Sequence, residues 1–182
     1  MLILSQNFNV SLVIVHESQF LPRSFSMNFE FEYATTEEKN IRVVLDRLSC
    51  FASVLSNTVV ISSLSSNYQK LMRFLKPTNR LIVLPTPMTE INLGACLNSK
   101  FFAICDDTLE IIESSMNNTI DYGPTSKMGY IYTEIDEFES KLPEPWWSRN
   151  DLSTNDIKGM VVPTWEEVGL GYDSDPEMVF VQ

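Results

Sequence analysis

The chain has 182 residues, of which 44% are hydrophobic and 20% charged, and these proportions exclude a wholly disordered chain. The length predicts one domain with room for an extension. A net charge of −11 repels phosphate backbones, so direct binding to nucleic acid is not expected.

Strand patterns dominate the first thirty-three residues. Apolar runs at 2–4 and 10–15, on either side of a polar stretch at 5–9, predict two short strands that form a hairpin. Because this stretch lacks a basic leader and is interrupted by polar residues, neither a signal peptide nor a membrane span is expected. Residues 25–33 alternate strictly between aromatic or Met and polar side chains, which predicts a strand with one buried face in an antiparallel or edge position.

Helical signals follow. Residues 35–38 match a capping box and precede a helix that ends near 56–57. Its buried stripe is predicted to be Ile41, Val44, Leu45, Leu48, Ala52 and Leu55. A strand at 58–61, a short helix from Tyr68 that Pro77 stops, and a strand at 80–84 come next.

The next segment predicts a third helix and further strands. Thr86 as N-cap and Pro87 as first helical residue predict a helix through about residue 100. Strands are predicted at 101–105 and 108–112, joined by a hairpin turn at Asp106 and Asp107, then a loop at 117–124 and a strand at 129–133. The order of elements predicts an α/β (α+β) fold: a mixed sheet, about three helices and an acidic C-terminal extension.

Regular patterning fades after residue 133, which divides the chain into a core domain, 1–133, and an acidic extension, 134–182. The extension holds 12 acidic residues, 3 basic residues and all three tryptophans. Prolines around Trp146 and Trp147 present the two rings together, either onto the protein's own core or into a partner pocket. The carboxylates suit a basic protein surface, although a solubilising face explains the same charge. The predicted partner-binding residues are Glu144, Trp146, Trp147, Trp165, Glu166, Glu167, Tyr172, Asp173 and Asp175.

Groups that carry chemistry are sparse. His16, the single histidine, is interpreted as a strand-end residue rather than a general base, and one histidine argues against a His-based metal cluster. Cys50 and Cys105 are interpreted as reduced core thiols, in keeping with a cytoplasmic protein. Asp106, Asp107 and Asp121 can supply oxygen ligands to a divalent cation, but a solvated turn is favoured. No catalytic residue, cofactor or metal is predicted.

Parts of the core also carry a resemblance. Residues 40–47, 57–61 and 80–104, with the strand exit LIVLPTP and the run NLGACLNSKFFAIC, resemble uncharacterised accessory proteins of large tailed bacteriophages, and the similarity covers about residues 25–139. The resemblance implies a protein made in the bacterial host cytoplasm that engages a host or phage protein or joins the virion. It transfers no catalytic residue.

Three functions follow from these patterns. The leading hypothesis is a non-enzymatic acidic adaptor or inhibitor that binds a basic protein surface. The second is a virion structural or assembly component, and the third is a divalent-metal enzyme that uses Asp106, Asp107 and Asp121. The oligomeric state does not follow from the sequence.

Overall fold

The computed structural model describes residues 2–33, 38–74, 78, 80–119, 126–127 and 144–172. Its centre is a mixed six-stranded sheet in the order β4-β3-β1-β2-β5-β6. The strands are β1 (Leu2–His16), β2 (Gln19–Tyr33), β3 (Thr58–Ser62), β4 (Leu81–Leu84), β5 (Glu110–Asn118) and the two-residue β6 (Ser126–Lys127). The helices are α1 (Glu38–Leu55), α2 (Tyr68–Met72) and α3 (Glu90–Cys105). The predicted α+β class and mixed sheet are confirmed.

The first two strands form one long hairpin, so the two short strands expected before residue 16 are wrong. β1 pairs antiparallel with β2 along its whole length, from Leu2 with Tyr33 to His16 with Gln19. The turn between the strands is Glu17 and Ser18, and Glu17 adopts a φ of 53°. The polar residues at 5–9 misled the prediction because alternate ones line the solvent face of a continuous strand, where polarity is expected.

The strict alternation in β2 is confirmed as a buried face. Phe25, Met27, Phe29 and Phe31 are each at most 1% exposed. The rings of Phe29 and Phe101 stack with centroids 4.6 Å apart, which ties the middle of the sheet to α3. This face of the sheet, together with the buried stripes of α1 and α3, forms the main core.

The helix after β2 and the strands after it also form as expected. The predicted stripe of α1 is buried except for the half-buried Leu45, and Phe51 belongs to it as well. β3 pairs parallel with both β1 and β4, so the carboxyl ends of these three strands lie at one end of the sheet. The short α2 contributes Tyr68, Leu71 and Met72 to a second, smaller cluster around Ile61.

The predicted start of the third helix is wrong by three residues. Thr89, not Thr86, is the N-cap, and its Oγ1 accepts a hydrogen bond from Asn92 N at 3.1 Å. Thr86 lies before the helix, and its carbonyl oxygen accepts a hydrogen bond from Ser62 Oγ at the end of β3, at 2.6 Å. The Asn92 side chain donates to Pro87 O at 2.9 Å, so the residues before the helix are tied down as a loop.

The predicted strand at 101–105 and its hairpin turn are also wrong, because α3 continues through Cys105. Asp106 and Asp107 follow the helix with φ of 51° and 57°, and Asp106 is the left-handed C-cap. Ser114 Oγ donates to Asn98 Oδ1 at 2.8 Å, which fixes α3 over β5. β5 includes Asn117 and Asn118, which were expected in a loop.

Several expectations lie outside the described residues. These are residues 35–37 of the capping box at 35–38, residues 120–124 of the loop predicted at 117–124, the strand at 129–133 and the domain boundary between 133 and 134. The second helix ends at Met72, with Arg73 as its C-cap, before the predicted stop at Pro77. The described part of the predicted extension is residues 144–172, here called the C-terminal segment. It contains one turn of 3₁₀ helix, Trp146–Ser148, and packs against α3 and β4.

Candidate functional site

The C-terminal segment covers the outer edge of the sheet along β4. Trp146 Nε1 donates to Val83 O at 3.1 Å, and Thr154 Oγ1 and Asn155 Nδ2 donate to Leu81 O at 2.9 and 2.8 Å. Exposed strand edges invite pairing with other chains, and folds commonly cover them. The segment therefore protects the edge of β4 from pairing with another chain.

A buried lysine anchors the segment to α3. The Nζ of Lys100 donates to Trp146 O at 2.9 Å, to Arg149 O at 2.7 Å and to Asp151 Oδ1 at 2.8 Å. Burial lowers the pKa of Lys100 to about 8, against the opposing attraction of Asp151. Burial acts to raise the pKa of Asp151, but the charge and hydrogen bond of Lys100, together with the hydrogen bonds from Ser153, outweigh it and leave that pKa lowered. Nζ also donates to Ser153 Oγ at 3.3 Å, so one cation gathers four groups of the segment at a single point.

A second buried cation holds the other end of the segment. Arg47 of α1 is 2% exposed, and its Nε donates to Leu170 O at 2.8 Å. Its guanidinium carbon lies 4.2 Å from the ring centroid of Tyr172 and 5.3 Å from that of Trp165. Trp165 Nε1 in turn donates to Asn150 O at 3.1 Å. The ring of Tyr172 is therefore positioned by α1 rather than by its own neighbours in sequence.

The tryptophans predicted to bind a partner lie in the core. Trp146 and Trp147 are fully buried and meet edge to face, with ring centroids 5.6 Å apart. Trp165 is 7% exposed. Of the two alternatives for the Trp146 and Trp147 pair, the structure has the rings docked on the protein's own core, where they offer no surface to a partner.

The other predicted site residues are exposed or lie outside the description. Glu144, Glu166, Glu167 and Tyr172 are exposed, whereas Asp173 and Asp175 lie outside the described residues. Glu167 Oε2 accepts a hydrogen bond from Thr164 N at 2.8 Å and so caps a local turn.

Part of the segment's negative charge is used within the fold. Asp151 pairs with Lys100, and Asp156 Oδ1 lies 3.0 Å from Arg149 Nη2. Asp156 Oδ2 also accepts a hydrogen bond from Trp146 N. These two carboxylates are structural, which leaves the exposed glutamates as the segment's described binding charge.

Exposed carboxylates and aromatic rings come together where the segment ends against α3. Tyr172 Oη donates to Asp106 Oδ2 at 3.3 Å, and a Cβ on Gly171 would lie 3.0 Å from Glu166 Cγ. Phe102 lies one helical turn before Asp106 and is 58% exposed. We call Phe102, Asp106, Glu166 and Tyr172 the acidic–aromatic face. None of the ion pairs within the described residues involves its two carboxylates.

The predicted partner-binding residues included Glu166 and Tyr172 but not Phe102, and Asp106 was considered only as a turn residue or cation ligand. Phe102 was assigned to a strand, and Asp106 lies 66 residues before Tyr172, so no local pattern links the two. The available signal was helical: at a period of 3.6 residues, Phe102 falls opposite the buried Leu97 and Ile104 region of α3.

The candidate catalytic groups are not brought together. His16 lies exposed at the hairpin end, and Asp121 lies outside the described residues. Burial raises the pKa of Cys50 and raises the pKa of Cys105 to about 12, opposite to what a reactive thiolate needs. In the described part of the chain, no group of three or more His, Cys, Asp or Glu side chains could hold a metal ion.

Comparisons with known proteins add no family. No protein-family model matches this chain, and no curated protein is significantly similar to it in sequence. A search of the described helices for a possible membrane span finds none that is both long and apolar enough.

Proposed function

We propose that this protein is a non-enzymatic adaptor or inhibitor that engages a basic protein surface through the acidic–aromatic face. The observation that carries the proposal is the meeting of exposed aromatic rings and carboxylates at Asp106 and Tyr172. Aromatic side chains are enriched at the centres of interfaces, and exposed carboxylates steer an oppositely charged partner.

The ring of Tyr172 supports this proposal because it is held in place before any partner arrives. Its hydroxyl is bonded to Asp106 and its face lies against the buried Arg47. A contact residue that is already ordered loses less conformational entropy on binding. Tyr172 therefore suits the centre of a contact surface, with Asp106 and Glu166 at its rim.

The test is affinity purification with the tagged full chain from bacterial lysate, with and without phage infection, at moderate and high salt. Point variants are required, because truncation before residue 144 would remove Trp146 and Trp147 from the core. The double variant Asp106→Asn, Glu166→Gln neutralises the face. Glu30→Gln is the matched control, since Glu30 is an exposed carboxylate on the sheet.

We expect one basic protein to be captured by the wild type and the Glu30 control and to be lost in high salt. The double variant should weaken that capture by roughly tenfold. Equal capture by the double variant would refute the proposed surface. Co-sedimentation of the protein with phage particles would instead favour the virion component, and the phage origin itself stays a prediction.

A further inference from the structure

Two clefts border the C-terminal segment. One, of about 410 Å³, is lined by residues of the segment alone, among them Glu144 and Arg149. The other, of about 280 Å³, lies at the carboxyl ends of β3 and β4, where Ser63, Tyr68 and Pro85 line it. Asp156 and Ile157 line both clefts, so the two adjoin there, and we call the pair of clefts the groove. Crevices beyond the carboxyl ends of parallel strands are a common place for ligands in α/β sheets.

The larger cleft favours a cation over an anion. The guanidinium of Arg149 lies 3.0 Å from Asp156 Oδ1 and 3.6 Å from Asp151 Oδ2, so its charge is already balanced. Glu144 is exposed, and no ion pair within the described residues includes it. A ligand entering this cleft therefore meets negative charge at Glu144, which no ion pair within the described residues balances.

The walls of the groove suit side chains of two kinds. Ile157, Met160 and Val162 are half-buried beside Glu144, where they can pack against the aliphatic stem of a lysine or arginine. The half-buried Tyr68 and Pro85 provide aromatic and apolar surface in the smaller cleft, and Asp156 is the one charged residue among its described walls. The volume of the larger cleft lies within the range of ordinary ligand pockets.

We propose that this groove binds an extended segment of the protein partner, with a lysine or arginine side chain beside Glu144 and an apolar side chain beside Tyr68. The inference rests on the proposed function, because it assumes a basic protein partner. It adds a second contact that shares no residue with the acidic–aromatic face. It also places Glu144, whose role the sequence predicted only by its charge, at a defined position in the recognition of one basic side chain.

The probe is a capped peptide that carries one leucine and one arginine, compared with the same peptide containing citrulline, which has the shape of arginine without its charge. Binding is followed on the full chain by methyl NMR of Met160, assigned with Met160→Leu. The arginine peptide should shift the Met160 signal saturably, and the citrulline peptide should bind several-fold more weakly. Glu144→Gln should weaken binding by roughly two- to fivefold, while Glu30→Gln, at an exposed carboxylate on the sheet, leaves it unchanged.

The outcomes separate this inference from the proposed function. An unsaturable Met160 signal, or equal binding of the citrulline peptide, would overturn the groove even if partner capture still depends on Asp106 and Glu166. A saturable shift that depends on Glu144 would support the groove even if the Asp106 and Glu166 variant captures the partner normally, in which case the acidic–aromatic face is the part that fails.

Discussion

Lys100 places a full positive charge inside the core, and its partners all belong to the C-terminal segment. Lys100→Met keeps the length of the side chain but leaves Asp151 and two carbonyl oxygens without their donor. We expect a loss of about 3 kcal/mol in the free energy of unfolding, since Asp151 stays one-third exposed and is partly solvated. Urea denaturation measures this loss. Lys158→Met, at an exposed position, should cost less than about 0.5 kcal/mol, and an equal cost in the two variants would contradict the structural role of Lys100.

The same lysine predicts a pH dependence. Its pKa is lowered from 10.5 to about 8 in the folded chain. Between these values the unfolded chain holds a proton that the folded chain has released, so the free energy of unfolding rises with pH, by at most about 1.4 kcal/mol per unit. We expect the stability difference between wild type and Lys100→Met to grow from pH 8 to pH 10. A difference that stays flat or shrinks across this range would show that Lys100 keeps its proton in the fold.

At the level of the elements, α3 offers a paired test of its corrected start. Thr89→Ala removes the N-cap hydroxyl that accepts from Asn92 N and should cost about 1 kcal/mol. Thr86 is fully buried, and its Oγ1 has no hydrogen-bond partner among the described residues. Thr86→Val, which replaces that hydroxyl with a methyl group of similar size, should therefore be neutral or stabilising. Thermal unfolding measures the stability of both variants. A larger loss of stability in Thr86→Val than in Thr89→Ala would show that Thr86 is the N-cap after all.

The central strand provides a second test. Phe29 is 1% exposed and stacks on Phe101, so Phe29→Ala should destabilise the protein by roughly 3–5 kcal/mol. Asn28→Ala, on the opposite face of the same strand, should cost much less. Urea midpoints of the two variants measure the difference, and similar midpoints would mean that the buried face of β2 is misassigned.

The elements also show which sequence patterns were sufficient. The alternation in β2 and the stripe of α1 were read correctly because each repeats over several turns or residue pairs with one face buried. The end of α3 was not predicted correctly. Residues 101–105 are all apolar, and so short an apolar run fits a strand as well as a helix. The start of α3 was not predicted correctly either, because Thr86 and Thr89 both precede plausible first turns. The two are distinguished by the hydrogen bond that Thr89 Oγ1 accepts from Asn92 N, which has no counterpart at Thr86 Oγ1 among the described residues.

At the scale of the whole molecule, the sequence showed that the C-terminal extension is acidic but did not show where it packs on the rest of the chain. The prolines and carboxylates of residues 134–182 suggested a separate arm, yet Lys100 and the edge of β4 bind residues 144–156 into the fold. These contacts join residues about fifty to seventy-five positions apart in the chain, as the pairs Lys100–Asp151 and Leu81–Asn155 show, and no local pattern encodes them. The exposed acidic–aromatic face likewise exists only once the segment is docked against α1 and α3.

Cooperative unfolding tests whether the segment belongs to the fold. All three tryptophans lie in residues 144–172, so intrinsic tryptophan fluorescence reports on this segment, whereas far-UV circular dichroism reports chiefly on the helices and the sheet. If Trp146 and Trp147 are core residues, the two urea transitions of the wild type should coincide. In Lys100→Met the midpoint of the fluorescence transition should lie at the same urea concentration as the dichroism midpoint or below it. The reason is that this substitution weakens the attachment of the segment and leaves the contacts within the sheet in place. A wild-type fluorescence transition that clearly precedes the loss of helix and sheet would show instead that the segment detaches as an independent arm, and would return the tryptophans to the set of residues available to a partner.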